Sequence, residues 1–258
     1  SVFTAEPCWV IMAGDAEQEE PRMVSIIAED LELTEAFKNK TDIYRRATTA
    51  LYPETFNSDP DSKWKIDYEH QRYNGKTFFL AWYYGAGAGT LIRNVDASLT
   101  LGSAQLAVAN LSQAHPAREN YLLAVEKECI DNGGWVVDIF GRKRFIPEIL
   151  TGKFRWEKQR RHNNPAFNDG LRKAANFKVQ GPCATILKRA IVKIDRAIKK
   201  EGLRGYPIFP VHDEIVATCP VEEQHTLAEI IKEAFQNPIV PLPISINVGV
   251  HWGNMKAL

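Results

Sequence analysis

The stretch that most limits what this chain can fold into is His212-Asp213-Glu214, set between two apolar runs. Residues 205–209 and 215–218 have the length and the β-branched and aromatic content of short strands, so the polar residues between them form a tight turn. The expectation is a β-hairpin with an acidic pair at its tip. Carboxylates at the tips of buried strands are expensive to take out of water unless they have a partner. A divalent metal ion is such a partner, and a second carboxylate should help to hold it. The chain offers one near its start, where the apolar run of residues 8–13 ends at Gly14-Asp15. Asp15 and Asp213 lie 198 positions apart. Brought together, two such aspartates can hold two Mg²⁺ ions roughly 3.5–4 Å apart, a clamp for in-line displacement at phosphorus. Taken singly, either aspartate reads more simply as a turn or cap residue.

Between these ends the pattern is largely helical. A helix starts at Glu20-Pro21, with Met23, Ile26 and Ile27 as its apolar face. Another covers residues 34–39, and a third follows Asp42 as N-cap, with Ile43, Ala47 and Leu51 inward. Residues 53–64 read as a loop. Residues 68–84 have helical spacing despite Gly75, and a glycine-rich stretch, 85–89, stops them. On this helix Arg72, Lys76, Leu80 and Tyr84 recur every four positions. Each step drifts by about 40°, which gives a shallow spiral of two cations, an apolar residue and an aromatic ring. A triphosphate would suit the cations and a base the ring; a surface helix with a packed tyrosine is the plainer alternative.

Further on, residues 101–132 form two helices joined near His115-Pro116, and residues 134–149 a hairpin turning at Gly141-Arg142. A long helical zone over 169–200 is expected to break near Gly181-Pro182. An amphipathic helix with Leu227, Ile230, Ile231 and Phe235 follows, and residues 244–250 make a last strand. Helices and strands are segregated, so the fold class is α+β.

Net charge is zero, which argues against a generic nucleic-acid binder, but the charges are unevenly placed. Residues 142–178 carry eleven Lys or Arg against three acids, while residues 15–35 carry eight acids against Arg22. A chain with one basic and one acidic zone suits a protein that binds a polyanion and metal ions together; solvated helix faces are the alternative. The four cysteines form no CxxC, which points to reduced, buried thiols and against zinc. No apolar run approaches a membrane span and no leader is visible, so a cytoplasmic protein without a membrane partner is expected.

Three motifs in order resemble those of family A DNA polymerases, bacterial and phage-like. Residues 15–22 (Asp-Ala-Glu-Gln-Glu-Glu-Pro-Arg) are similar to the family's D-Y-S-Q-I-E-L-R, followed by Asp42-Ile43-Tyr44, where the family often has D-I-H. Arg72, Lys76, Tyr84 and Gly85 match R-x3-K-x7-Y-G, and Val211-His212-Asp213-Glu214 is the third motif. Arg172, Asn176 and Gln180-Gly181, the segment from Gly141-Arg142 to Ile149, and the Val248-Gly249-x-x-Trp252 ending also resemble family segments. The resemblance implies a right-hand polymerase: palm at 1–21 and 166–258, with an antiparallel sheet, and mostly helical fingers at 22–165. The activity implied is transfer of dNMP from a dNTP to a primer 3′-hydroxyl by a two-metal mechanism.

Residue by residue, the resemblance makes Asp15, Asp213 and the Ala16 carbonyl ligands of two Mg²⁺ ions, with Mn²⁺ as a substitute. Glu214 supports that site. Arg72 and Lys76 hold the triphosphate, and Lys76 protonates the leaving pyrophosphate. Leu80, Tyr84, Glu20 and Gln18 line the nucleotide site, where Glu20 and Tyr84 exclude a 2′-hydroxyl. Arg172, Asn176, Gln180 and His212 face the primer–template. The implied partners are primer–template DNA, dNTPs and another polypeptide or segment that carries a thumb and a 3′–5′ exonuclease, for which this chain leaves no room.

Several positions depart from the family pattern. Leu80 stands where the family usually has Phe or Tyr, which puts sugar discrimination in doubt. Thr185 stands where bacterial enzymes often have Asp. Glu17, Glu19 and Pro21 replace mostly neutral residues, and the two glutamates are expected to face solvent, with attraction of metal as the alternative. A rival functional reading is a subunit that binds primer–template or a partner without doing chemistry. A metal-dependent nuclease would share the two carboxylates but leaves the Arg72/Lys76/Tyr84 row unexplained.

Overall fold

The computed structural model describes residues 3–150 and 164–258. The chain divides into two compact units: a sheet unit, Ser1–Met23 with Gln180–Leu258, and a helical unit, Val24–Val179.

In the sheet unit, strand β1 (Trp9–Ala16) is the centre of an antiparallel sheet. On one side it pairs with β5 (Glu214–Pro220), which pairs in turn with β4 (Tyr206–Val211). On the other side it pairs with β6 (Ile244–His251), and β6 with β7 (Asn254–Ala257). Because successive strand residues point to opposite faces, the burial of every residue from Val10 to Gly14 shows that both faces of β1 are covered. Helix α10 (Gln224–Phe235) packs against β1 and buries Leu227, Ile231 and Phe235.

Two segments join the units. Helix α1 (Glu19–Ile27) starts in the sheet unit. Helix α9 (Pro165–Glu201) runs through Pro182 without a break, contrary to the expected interruption. Proline removes one amide donor and crowds the carbonyl four residues back, but a helix of 37 residues has bonds enough on both sides to carry it. The unit boundary falls between Val179 and Gln180, beside that proline.

The helical unit contains α2 (Leu31–Lys38), α3 (Arg45–Leu51), α4 (Asp61–Asp67), α5 (Glu69–Tyr83), α6 (Ala88–Asn94), α7 (Leu101–Ala114) and α8 (Ala117–Asp131). A small hairpin, β2 (Trp135–Val137) with β3 (Lys143–Phe145), completes it. The core is aromatic: Tyr44, Trp64, Phe78, Phe79, Trp82 and Tyr83 are all buried. Gly75, which looks like a weak point in α5, is where α3 crosses; a Cβ there would lie 2.9 Å from the Thr48 Cα. Gly85 ends α5 with a φ of +93°, the left-handed geometry that favours glycine.

Other expectations need correcting. The stretch read as a loop at 53–64 contains a 3-10 turn (Pro53–Thr55) and the start of α4, whose Trp64 is fully buried and donates its indole N–H to the Thr55 carbonyl at 2.9 Å. Helix α6 begins inside the glycine-rich stop, at Ala88, and runs on to Asn94. The hairpin strands at 135–145 are shorter than expected, because the Asp138 Oδ1 accepts from the backbone of Phe140 and Arg142 and folds the connection. Asp42 is not the N-cap of α3; Tyr44 occupies that position, and Asp42 Oδ1 accepts from the Tyr44 amide at 2.9 Å. Of the face expected for α1, Met23 is buried and Ile26 is exposed, and Val24 is buried in addition. Strand β7 was not foreseen. Cys8 is exposed, whereas Cys129, Cys183 and Cys219 are buried thiols.

Candidate active site

Strand register gathers the acidic residues of the sheet unit. Asp15 pairs with Glu214 across the β1–β5 ladder, and the Ala16 amide donates to the Asp213 carbonyl at 3.3 Å. Carboxylates from opposite ends of the chain therefore meet at one end of the central strand. The hairpin turn consists of His212 and Asp213, with Glu214 already in β5; the acidic pair is split between turn and strand. His212 has a φ of +54° and Gln18, between β1 and α1, a φ of +56°. Both chain reversals beside the acidic residues thus adopt left-handed backbone at non-glycine residues, a local strain of order 1 kcal/mol each that the surrounding structure must hold.

Two contacts set side chains at this end of the sheet. The Trp252 indole donates to Glu214 Oε1 at 3.2 Å. Gln180 Nε2 donates to Glu20 Oε1 at 2.9 Å, joining two residues to which the family resemblance gives roles at the minor groove and at the sugar. Trp252 was visible in the sequence only as part of a resembling ending; its link to Glu214 was not.

Glu19 is the residue that sequence reasoning placed wrongly. It was expected in solvent, yet it is 3% exposed and its Oε1 has no hydrogen-bond partner among the described residues. Burial pushes its carboxyl up to about 7, and the charges of Asp213, Glu20 and Asp15 add to the shift. A signal existed: Glu19 lies four residues before the buried Met23, on the same face of α1. Glu17 is exposed, as expected.

The residues present fit a hard cation. The donors are all oxygens, which suits Mg²⁺ and Mn²⁺. The orphaned Glu19 oxygen reports surplus negative charge at this place. Among the described residues, no group of three or more His, Cys, Asp or Glu side chains is arranged to hold an ion. Mg²⁺ accepts such a set, since it usually binds one or two carboxylates and keeps water or phosphate oxygens in its other positions.

The helical unit carries the cationic row. Arg72 and Lys76 lie on one face of α5, with Arg72 5.4 Å and Lys76 6.0 Å from the centre of the buried Tyr44 ring. Arg72 Nε donates to Asp42 Oδ2 at 2.7 Å. Leu80 is half-buried, and Tyr84, at the C-cap of α5, is 8% exposed. A buried network holds this end of α5. Tyr83 donates to Asp30 Oδ2 at 3.0 Å, His115 Nδ1 lies 2.9 Å from the same oxygen, and Arg118 donates to the Trp82 carbonyl at 2.6 and 3.0 Å.

Arg172, on α9, pairs with Asp169 at 3.2 Å, and Asn176 is half-buried one turn on. The basic zone is partly neutralised from within. Lys173 pairs with Glu148 and Asp169, and Lys178 with Glu128. Lys153, Arg155, Lys158, Arg160 and Arg161 lie outside the described residues.

The family model described as DNA polymerase family A matches residues 1–254. A DNA polymerase I of Chloroflexus aurantiacus is 27% identical over 99% of this chain and 25% of its own length. That of Caldicellulosiruptor bescii is 28% identical over 99% of the chain and 28% of its own length. That of Streptococcus pneumoniae is 29% identical over 96% of the chain and 26% of its own length. The chain thus spans about a quarter of the length of the curated relatives it matches. In fold it is similar to the POL domain of Pol1 from M. smegmatis, solved with DNA primer–template and dNTP. The TM-score is 0.79 at 24% identity, covering 97% of this chain and 41% of that one. No described helix is long and apolar enough to cross a membrane.

Proposed function

Because the chain belongs to DNA polymerase family A, we propose that it carries the nucleotidyl-transfer core of a template-directed DNA polymerase. The palm is residues 1–21 and 166–258 and the fingers residues 22–165, a division that differs from the two compact units at residues 22–23 and 166–179. The observation that carries this reading is the register of β1 against β5, which puts Asp15 opposite Glu214 and Ala16 beside Asp213.

In this reading Asp15 and Asp213 hold the metal ions, with the Ala16 carbonyl as a further ligand. Bound Mg²⁺ would lower the pKa of the attacking primer hydroxyl and neutralise charge on the leaving pyrophosphate. Glu214, fixed by Trp252, keeps the field at the site negative. Arg72 and Lys76 take the triphosphate, and Lys76 gives a proton to the pyrophosphate as it leaves. Glu20, oriented by Gln180, lies under the sugar and, with Tyr84, excludes a 2′-hydroxyl, and Gln18 and Leu80 are further nucleotide-binding residues. His212 approaches the primer end. Arg172, Asn176 and Gln180 donate to minor-groove acceptors that every base pair presents, so they test shape and not sequence. A segment or polypeptide that grips duplex DNA completes the enzyme.

The test is primer extension with the chain, Mg²⁺ and dNTPs, with and without the remainder of a family A polymerase in trans. Asp213→Ala is expected to abolish extension. Extension at the parent rate in that variant would overturn the metal assignment.

A further inference from the structure

Arg72 already has an anionic partner before any triphosphate arrives. It donates to Asp42 Oδ2 at 2.7 Å, and the Asp42 side chain is wholly out of solvent while a quarter of the Arg72 side chain is exposed. A buried carboxylate cannot give up a cation unless another replaces it, because an unpaired charge in the interior is strongly unfavourable. A replacement stands ready. Lys65 Nζ, on α4, lies 3.3 Å from the same Asp42 oxygen with its side chain 44% exposed. The neighbouring carboxylate, Asp61, is engaged by Arg45 at 2.7 Å and by the Asp42 amide, also at 2.7 Å. Among the described residues, the ion pairs of Arg45, Lys65 and Arg72 run to Asp42 and Asp61, three cations against two carboxylates. Asp42 itself stays in place when Arg72 moves, since its Oδ1 accepts from the Tyr44 amide at 2.9 Å.

We propose that Asp42 is a positioning residue for nucleotide binding: it holds Arg72 in the empty protein, and Lys65 takes over Asp42 when Arg72 turns to a triphosphate. The proposal rests on the reading of Arg72 as a triphosphate-binding residue. Tyr44 fits the exchange, because its ring supports both Arg72 and Lys76 and gives the released guanidinium a face to slide along. The arrangement makes dNTP affinity depend on two residues that never touch the nucleotide.

The test is the equilibrium dissociation constant for a dNTP, measured with the chain, primer–template and Mg²⁺ below each variant's melting temperature. Asp42→Asn keeps an acceptor for the Tyr44 amide but removes the charge that holds Arg72. It is expected to tighten dNTP binding by about two- to fivefold, the scale of a partly exposed ion pair. Lys65→Met removes the replacement cation and is expected to weaken binding by about the same factor. Lys65→Arg should bind like the parent, and Lys65→Met should have no effect in an Asp42→Asn background. A purely structural role for these residues would weaken binding in both single variants, and that result overturns the exchange. So does equal weakening by Lys65→Met with and without Asp42→Asn. Lys65 is exposed, so its variants answer the question even where Asp42→Asn fails to fold. Arg72→Ala separates the two levels: it should weaken binding, and if it does not, the triphosphate reading falls and the exchange falls with it.

Discussion

Glu19 and Asp30 are both buried carboxylates near the ends of α1, and the protein treats them in opposite ways. Asp30, in the helical unit, is 1% exposed and fully engaged: Oδ1 accepts from the Leu33 amide, and Oδ2 meets Tyr83 and His115. Burial pushes its carboxyl up, but the hydrogen bond and charge of His115, the Leu33 amide and the Tyr83 hydroxyl outweigh it, and the net shift is downward. Glu19, in the sheet unit, is buried with no partner for Oε1 among the described residues, and burial pushes its carboxyl up to about 7. Depth alone therefore does not decide what a buried acid contributes. Asp30 ties three elements together, capping α2 and bracing the end of α5. Glu19 adds charge to a place already crowded with Asp15, Asp213 and Glu20, a cost that a metal site can carry because a cation relieves it.

Removing each acid tests that contrast, and the signs should be opposite. Asp30→Ala strands His115 and Tyr83 in the interior and should cost about 3–5 kcal/mol at pH 7, read by denaturant or thermal unfolding. The folded Asp30 carboxyl lies below its unfolded value, so its stabilisation is present above the unfolded value and is lost as pH falls through the folded one. Glu19→Ile, the residue that stands here in the motif it resembles, should act the other way. The folded Glu19 carboxyl is raised to about 7 from 4.5, so the folded state holds its proton more tightly. Parent stability should fall as pH rises from 4.5 through 7, by on the order of 3 kcal/mol in all. The isoleucine variant should lack that slope and gain most above pH 7. Identical pH–stability profiles for parent and Glu19→Ile would show that the buried carboxyl is tolerated at no cost, and the contrast with Asp30 would disappear.

What was legible in the sequence divides along similar physical lines. The hairpin around His212, the Asp15 strand, α5 with its cationic row and the α7–α8 pair were readable because apolar period and turn residues agree there. The meeting of Asp15 with the Asp213 hairpin was expected, but the register that sets Asp15 opposite Glu214 was not readable, since no local pattern fixes it between strands some 200 positions apart. Helix α4 was hidden because Asn, Ser, Asp and Pro dominate the preceding residues, and the one strong signal, Trp64, buries itself against the Arg45 guanidinium at 5.0 Å. The continuity of α9 through Pro182 was missed because the local preference of proline says nothing of the 37-residue helix whose bonds on both sides carry it. Glu19 and the Arg72–Asp42 pair were missed for another reason. A charged residue reads as exposed by default, and its partners across 30 positions of chain leave no trace in composition.

The smallest expected effect bears on whether the sheet unit orders its acids at all, or only crowds them. Glu214 has a defined donor, the Trp252 indole at 3.2 Å, as Glu20 has in Gln180. Trp252 also packs edge-on against Phe3 and Phe209, with ring centroids 5.9 and 5.4 Å away. Trp252→Phe keeps much of that packing and deletes the donor, so it should cost about 1 kcal/mol or less in stability. Its informative consequence lies in the dependence of primer extension on Mg²⁺. With Glu214 free to turn, the half-saturating Mg²⁺ concentration should change while the melting temperature moves by only a few degrees. An unchanged Mg²⁺ dependence would mean that Glu214 is held for the fold, as Asp30 is, and the contrast between the two units would narrow to Glu19 alone.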